Sequence, residues 1–418
     1  MPVAFEAPNR WKLPSTYMQR VSISYDVDLT FVVHARVGAQ RGGQMFGNAL
    51  YIVNKALFVL SDAPGPRIVQ FEVPSSFKIA TPLTMIGTRI YRATNNSELA
   101  DNTTVLGSFP DFSITEGSFH LAMAMPGDTV PAASLLRPVV AAALHEYIRV
   151  FTKTPVFNVT MTYFRGLEEN GEAYRDSAAF TTPNTIRRDN EPLWADYVAH
   201  ELFHHWNASL IAQRRDGAYA GTTDWFMEGA TEYMANRTLV RYGFVDSRMY
   251  LRMMESNVAL YSFWTWSPPF AGTALDAAGS TTALPVPDGT SAKTYNRPAV
   301  YSGGWLATFC LDGMIAKDTN NHLGMDDFFR LLFERFGLTR KPYSNADLAA
   351  AASQLAGRDL EPFFARYIAK PNPLPISECL KNAGLDGTFV DYSGFAVVNA
   401  NPRATKQEKQ FFLNLIGR

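Results

Sequence analysis

The chain reads as an α+β protein of at least two domains, a β-sandwich-like N-terminal part followed by an α-rich part. Three observations lead there. At 418 residues it exceeds what one hydrophobic core organises. Its first hundred or so residues alternate apolar and polar side chains with period two, the pattern of half-buried strands. After Pro131 the period changes to that of helices.

The alternation is plainest where Val21, Ile23, Tyr25, Val27 and Leu29 interleave with Ser22, Ser24, Asp26 and Asp28. Short apolar runs follow at 31–37, 49–53, 68–73 and 119–123, separated by Gly, Pro and Asn turn signals, as in a sandwich. Residues 135–152 then form a long, mostly apolar helix, which puts the domain boundary near residue 128. The domains are accordingly 1–128 and 129–384, with a weakly patterned tail at 385–418. A second helix begins near Asn190 or Glu191, holds Pro192 in its first turn and runs to about Ala212. A third starts with Asp224 as N-cap and carries Glu228 and Glu232. Trp225, Phe226 and Met227 give its first turn a buried character. Residues 264–301 are a Pro, Gly, Ser and Thr-rich stretch too long for a simple connection, the kind of loop that serves as a rim or lid. Helices are expected again at 300–315, 325–336, 345–355 and 360–368, and there is no internal repeat.

Nearly half the residues are apolar, so packing is of the ordinary globular kind. Lys plus Arg (38) balance Asp plus Glu (39), which leaves no global field to draw nucleic acid or an anionic membrane. No apolar run approaches the roughly 20 residues that span a bilayer, and the N-terminus lacks the order of a signal peptide. The chain is expected to be soluble, cytoplasmic or, had a leader been removed, periplasmic or secreted. Cys310 and Cys379 are too few for a disulfide framework and are expected to be buried free thiols.

Three of the seven histidines, His200, His204 and His205, fall within six positions. On a helix, residues four apart share a face, so His200 and His204 can offer two imidazole nitrogens to one Zn²⁺. Glu201 follows by about 100° of helical turn, placed to address a water as general base without being a ligand. His205 points away from that face, toward a role in supporting the ligands from behind or in packing. A catalytic zinc takes three protein ligands and keeps one open position. No further histidine follows at metzincin spacing, so a carboxylate from a neighbouring helix is expected, with Glu228 and Glu232 both eligible.

The segment His200-Glu201-Leu202-Phe203-His204-His205-Trp206-Asn207 resembles the H-E-x-x-H-x-W-N signature of the glycyl aminopeptidase family of gluzincins. Trp225 through Thr231 is similar to that family's W-x-x-E-G-x-T segment. The resemblance implies a thermolysin-like zinc peptidase domain in which Glu228 is the third ligand and Glu232 orients a ligand from behind. Tyr301-Ser302-Gly303-Gly304 resembles the family's Y-x-K-G turn, implying that Tyr301 stabilises an oxyanion, with Gly303 where the family has lysine. Arg165-Gly166-Leu167-Glu168-Glu169-Asn170 resembles its G-G-L-E-H segment and the related G-x-M-E-N element, implying that Glu168 holds the α-amine of a peptide substrate. The resemblance ends near Gly384, and the remainder is too short for the PDZ domain that family members typically carry.

The expected function is therefore zinc-dependent peptide hydrolysis, as an aminopeptidase releasing small N-terminal residues such as glycine. Two other readings stand beside it. One is an endopeptidase or non-peptide hydrolase on the same site, and the other a homologue that keeps the metal without catalysis.

Overall fold

The computed structural model describes residues 4–7, 10–12, 42–127, 132–152, 157–167, 169–268, 270–280, 291–390 and 395–418. The strands expected at 21–29 and 31–37 lie outside them. Strands β1 (Ala4–Ala7) and β2 (Arg10–Lys12) form a hairpin. The next seven build two small antiparallel sheets: β3 (Gly43–Phe46), β4 (Ala49–Val53), β5 (Arg67–Gln70), β6 (Lys78–Ala80), β7 (Thr84–Gly87), β8 (Ile90–Ala93) and β9 (Thr103–Gly107). One sheet has the order β3-β4-β9-β6 and the other β5-β8-β7. Ile52, Phe71, Leu83, Tyr91, Leu99 and Leu106 form the apolar layer that joins them.

A third sheet carries the site. It contains β10 (Asp111–Glu116), β11 (Phe119–Ala124), β12 (Phe157–Arg165), β13 (Asn170–Ala173) and β14 (Ser177–Thr182), in the order β10-β11-β12-β14-β13. β11, β12 and β14 run parallel, with helix α1 (Ala133–Val150) as the crossover between the first two. Every residue of β14 is buried, as expected for a strand covered on both faces. β13 pairs only with β14 among the described residues and forms an edge. Because β11 hydrogen-bonds in register with β12, the sheet runs across the boundary expected near residue 128. Its outer face packs on the N-terminal β4, where Tyr51 and Phe164 lie 5.0 Å apart.

On the opposite side lies the helical half: α2 (Glu191–Phe203), α3 (Asp224–Arg241), α4 (Ser247–Trp266), α5 (Ala292–Tyr295), α6 (Gly304–Asp318), α7 (Met325–Leu332), α8 (Asn345–Ala356) and α9 (Ile376–Asn382). One continuous apolar core joins these helices, α5 apart, to the third sheet. Two expectations need correction. α2 does not continue to Ala212, because Asn207 (φ −92°, ψ 66°) and Ala208 (φ 169°, ψ −51°) break the helix after a widened turn. Cys310 and Cys379 are not free thiols but form a disulfide between α6 and α9, a pairing across 69 residues that spacing does not reveal. Beyond Gly384 the described residues form the antiparallel strands β15 (Leu385–Val390) and β16 (Phe395–Ala400), followed by α10 (Lys406–Leu415). Phe411 and Leu415 anchor α10 in the core.

Candidate metal centre

α2 begins with Pro192 in its first turn, where a missing N–H costs nothing, and ends at His204, whose N–H still bonds to the His200 carbonyl. The widened turn that follows has a purpose visible in its contacts. It swings Asn207 round so that its carbonyl lies 3.1 Å from His204 Nδ1. The Asn207 amide meanwhile donates to the Met227 carbonyl and Thr231 Oγ1, both at 3.1 Å, tying the end of α2 to α3. Trp206 locks the turn from below, stacked between Phe119 at 5.3 Å and Phe151 at 5.4 Å. His205 is buried edge-on to Phe119 and Trp206, and burial pushes its imidazole down to about 3, so it packs as a neutral ring.

α3 lies across α2 and presents Glu228 one turn before Glu232. Glu228 Oε2 is 3.2 Å from His200 Nε2 and 3.2 Å from His204 Nε2. The three donor atoms fall within 4.8 Å of one another and all three residues are buried. Ligands about 2.0–2.1 Å from a common ion at tetrahedral angles stand about 3.3 Å apart. Two imidazoles and a carboxylate at this spacing therefore fit a zinc-like cation with a position to spare. Each histidine is also held from its far side, His200 Nδ1 by Glu232 Oε2 at 2.8 Å and His204 Nδ1 by the Asn207 carbonyl. That hydrogen bond fixes which nitrogen carries the proton and turns the Nε2 lone pair inward.

Glu232 is itself supported. Asn236 reaches Glu232 Oε1 at 3.4 Å and Asp196 Oδ1 at 2.6 Å, and takes a hydrogen bond from Trp305 Nε1 at 3.1 Å. Burial, then the Glu232 charge, pushes the Asp196 carboxyl well above its usual range, while hydrogen bonding to His200 lowers that of Glu232 against its burial. Burial also opposes charge on Glu228, but the Lys293 ammonium and the two imidazoles outweigh it and hold that carboxyl well below its usual value. Lys293 Nζ sits 2.5 Å from Glu228 Oε1, the oxygen turned away from the histidines.

Glu201 occupies the floor beside these groups. Its carboxyl is raised, by burial first, with His200 and His204 pulling it back and Glu228 pushing it up. Glu201 Oε2 is a buried polar atom without a hydrogen-bond partner among the described residues. The edge strand β13 passes so close that a Cβ on Gly171 would lie 1.9 Å from Glu201 Oε1, which makes the absence of a side chain there a condition of the site. Tyr301 stands on the other wall, in a widened turn (Pro298–Gly303) that opens α6. Its ring stacks on His200 at 6.0 Å with Arg297 over it at 4.7 Å. Burial, then the Glu228 charge, raises its phenol, so it remains a hydrogen-bond donor.

The structure thus gathers His200, Glu201, His204, Glu228, Glu232 and Tyr301 in one place. Glu168 lies outside the described residues. Its neighbour Leu167 is fully exposed at the β12–β13 turn, and Glu169 is exposed. Burial raises the Tyr197 phenol to about 12, with Arg297 pulling it down and Glu169 pushing it up, which sets both charges near this end of α2. Sequence reasoning missed Lys293, Gly171 and the bracing role of Asn207. Only Asn207 carried a signal, as the last residue of the signature.

Residues 194–265 match the M61 glycyl aminopeptidase family. No curated protein matches the sequence. The fold is similar to the crystal structure of an aminopeptidase N family protein from Idiomarina loihiensis, with a TM-score of 0.70 at 18% identity. That likeness covers 83% of this chain and 63% of the other, so this chain spans less than two thirds of its length. It is a likeness of fold: mixed α+β, with sheets toward the N-terminus and helices toward the C-terminus.

Proposed function

We propose, starting from the similarity of residues 194–265 to the M61 glycyl aminopeptidase family, that this chain hydrolyses peptide bonds with a zinc ion held by His200, His204 and Glu228. The observation that carries this reading is the buried His200–His204–Glu228 triangle with Glu201 Oε2, buried and without a hydrogen-bond partner among the described residues, beside it. When bound, the ion would polarise the scissile carbonyl and make water a stronger acid. Glu201 takes the proton of the attacking water and passes it to the leaving amine, work suited to a carboxyl raised toward neutrality by burial. Tyr301 donates its phenolic hydrogen to the oxyanion that develops as the carbonyl becomes tetrahedral, and Glu232 keeps His200 in the required tautomer.

The finer reading is an aminopeptidase that releases small N-terminal residues such as glycine, and family resemblance supports it. Glu168 would then anchor the substrate's free amine. The metal is zinc on this reading because two imidazoles and one carboxylate, with a fourth position free, are a zinc hydrolase's donor set.

A panel of amino-terminal amides, each free and N-acetylated, tests the function directly. Release of the free-amine substrates by the zinc-loaded protein is expected, and equal cleavage of the blocked ones would remove the exopeptidase reading. Glu201→Gln is expected to retain stoichiometric zinc and lose about 10²–10⁴-fold in kcat, the usual span for a general base. Undiminished turnover in that variant would sink the mechanism.

A further inference from the structure

The two oxygens of Glu228 have separate partners. Oε2 faces both imidazoles at 3.2 Å, and Oε1 faces the Lys293 ammonium at 2.5 Å. Lys293 is not a surface lysine caught by chance. Its short helix α5 is pinned at both ends: Ser291 caps it by accepting from the Thr294 N–H at 3.2 Å, and Asn296 just beyond it donates to the Ala278 carbonyl at 2.8 Å. Ala292 and Asn296 are buried, and the Lys293 side chain is only 31% exposed.

The turn bearing Tyr301 has no room for a lysine of its own. A Cβ on Gly303 would meet Leu275 and Tyr261 side-chain carbons at 2.8 Å. Gly303 thus offers no side chain to the site, and an ammonium reaches it from ten residues upstream.

A carboxylate left to itself binds a metal with one oxygen or with both, and the second mode fills a position that a catalytic centre needs open. An ammonium donating to Oε1 removes that choice. It also draws charge away from the ligand, which leaves the ion more electron-poor toward the reacting carbonyl. Resting on the metallopeptidase reading above, we propose that Lys293 is a positioning residue that holds Glu228 to one-oxygen ligation and so keeps a coordination position free for reaction.

The test compares the full-length native protein with Lys293→Met and Lys293→Arg. Measured are Zn²⁺ and Co²⁺ affinities by chelator competition, the visible spectrum of the Co²⁺ forms, and kcat and KM on the substrates of the amide panel. Lys293→Met is expected to bind metal as tightly as the native protein or more tightly, because a positive charge beside a dication repels it. Its Co²⁺ absorption weakens, the mark of a higher coordination number. Its kcat falls by about 10- to 100-fold, the usual cost of losing a group that orients a ligand, while KM changes little. Lys293→Arg restores part of the spectrum and part of kcat.

An unchanged Co²⁺ spectrum in Lys293→Met overturns the proposal. So does metal affinity that falls in step with kcat, because a lysine that merely packs the wall would weaken the site as a whole. Should Lys293→Met fail to fold, judged by circular dichroism, a Lys293→Arg spectrum and kcat that keep only part of their native values, with metal affinity retained, support the role of a donated hydrogen bond, and values equal to native, or loss of metal, oppose it. If the native protein cleaves no member of the panel, the peptidase reading fails by itself, and the Co²⁺ spectra still decide what Lys293 does to Glu228.

Discussion

His200 depends on a neighbour that never touches the metal position. Its Nδ1 is held by Glu232 Oε2 at 2.8 Å, and Asn236 and Asp196 hold Glu232 in turn. Glu232→Gln keeps the shape and removes the charge, and metal affinity measured by chelator competition is expected to weaken by about tenfold, the low end for such supports. An affinity equal to native would show that His200 is oriented by packing alone. How legible these residues were follows from how far apart they stand in the chain. His200, Glu201 and His204 lie within five positions, so helical geometry alone puts them on adjoining faces. Glu228 and Glu232 shared a helical face, and spacing could not rank them; only the family signature did. Lys293 and Gly171 had no local pattern at all. Their part arises from chain segments 20 and 90 residues from the ends of α2 meeting at one point, which propensity does not encode. Glu168 shows the limit of the same reasoning: resemblance chose it, and it lies outside the described residues.

Elements were read with varying success, for physical reasons. α1 and α3 start within a few residues of where period and punctuation put them. α4 was overlooked, although Tyr250, Met254, Val258 and Tyr261 form a buried stripe at helical spacing, because exposed Met249, Phe263 and Trp266 blur its polar face. The end of α2 was overrun because the break at Asn207 is enforced by tertiary contacts to α3 rather than by a glycine or proline. The crossing of α3 with α6 is the element contact on which the site most depends. Gly229 and Gly304 meet there backbone to backbone, and a Cβ on Gly304 would fall 1.9 Å from the Trp225 carbonyl oxygen. Gly304→Ala is therefore expected to lower stability in urea by at least about 2 kcal/mol, as overpacking does. Gly313→Ala in the same helix, where the nearest atom is 3.5 Å away, is expected to be neutral or to gain up to about 1 kcal/mol. Equal effects of the two substitutions would mean that the crossing can relax.

Across the whole molecule, a charge cluster built around the buried Glu146 links the crossover helix to the helical half. Glu146 of α1 meets Arg149 at 2.7 Å and Arg241 of α3 at 2.6 Å, and Asp326 of α7 joins through Arg149 at 2.6 Å and Arg237. Burial alone would raise the Glu146 carboxyl, but Arg149, Arg237 and Arg241 together lower it to about 2. The same cluster disfavours charge on Arg241, whose own value falls to about 10 through burial and Arg237, still charged at neutral pH. Because Glu146 is lower in the folded state than in the unfolded one, its stabilising effect is complete above about pH 4.5. It fades as pH falls toward about 2. Between pH 5 and pH 3 the native protein should lose about 2 kcal/mol more stability than Glu146→Gln, measured by urea unfolding at each pH. Parallel acid limbs for the two proteins would remove Glu146 from the account. The glycine contact between α3 and α6 bears on the whole molecule in another way. Since peptide atoms rather than side chains set the gap between Glu228 and the turn of Tyr301, that side of the cleft behaves as a fixed jaw. The opposite side, the edge strand β13, has a ladder on one flank only among the described residues. On the peptidase reading proposed above, a bulkier substrate would be admitted by varying residues 169, 170, 172 and 173 at that edge rather than α2 and α3, with Gly171 kept because a Cβ there would lie 1.9 Å from Glu201 Oε1.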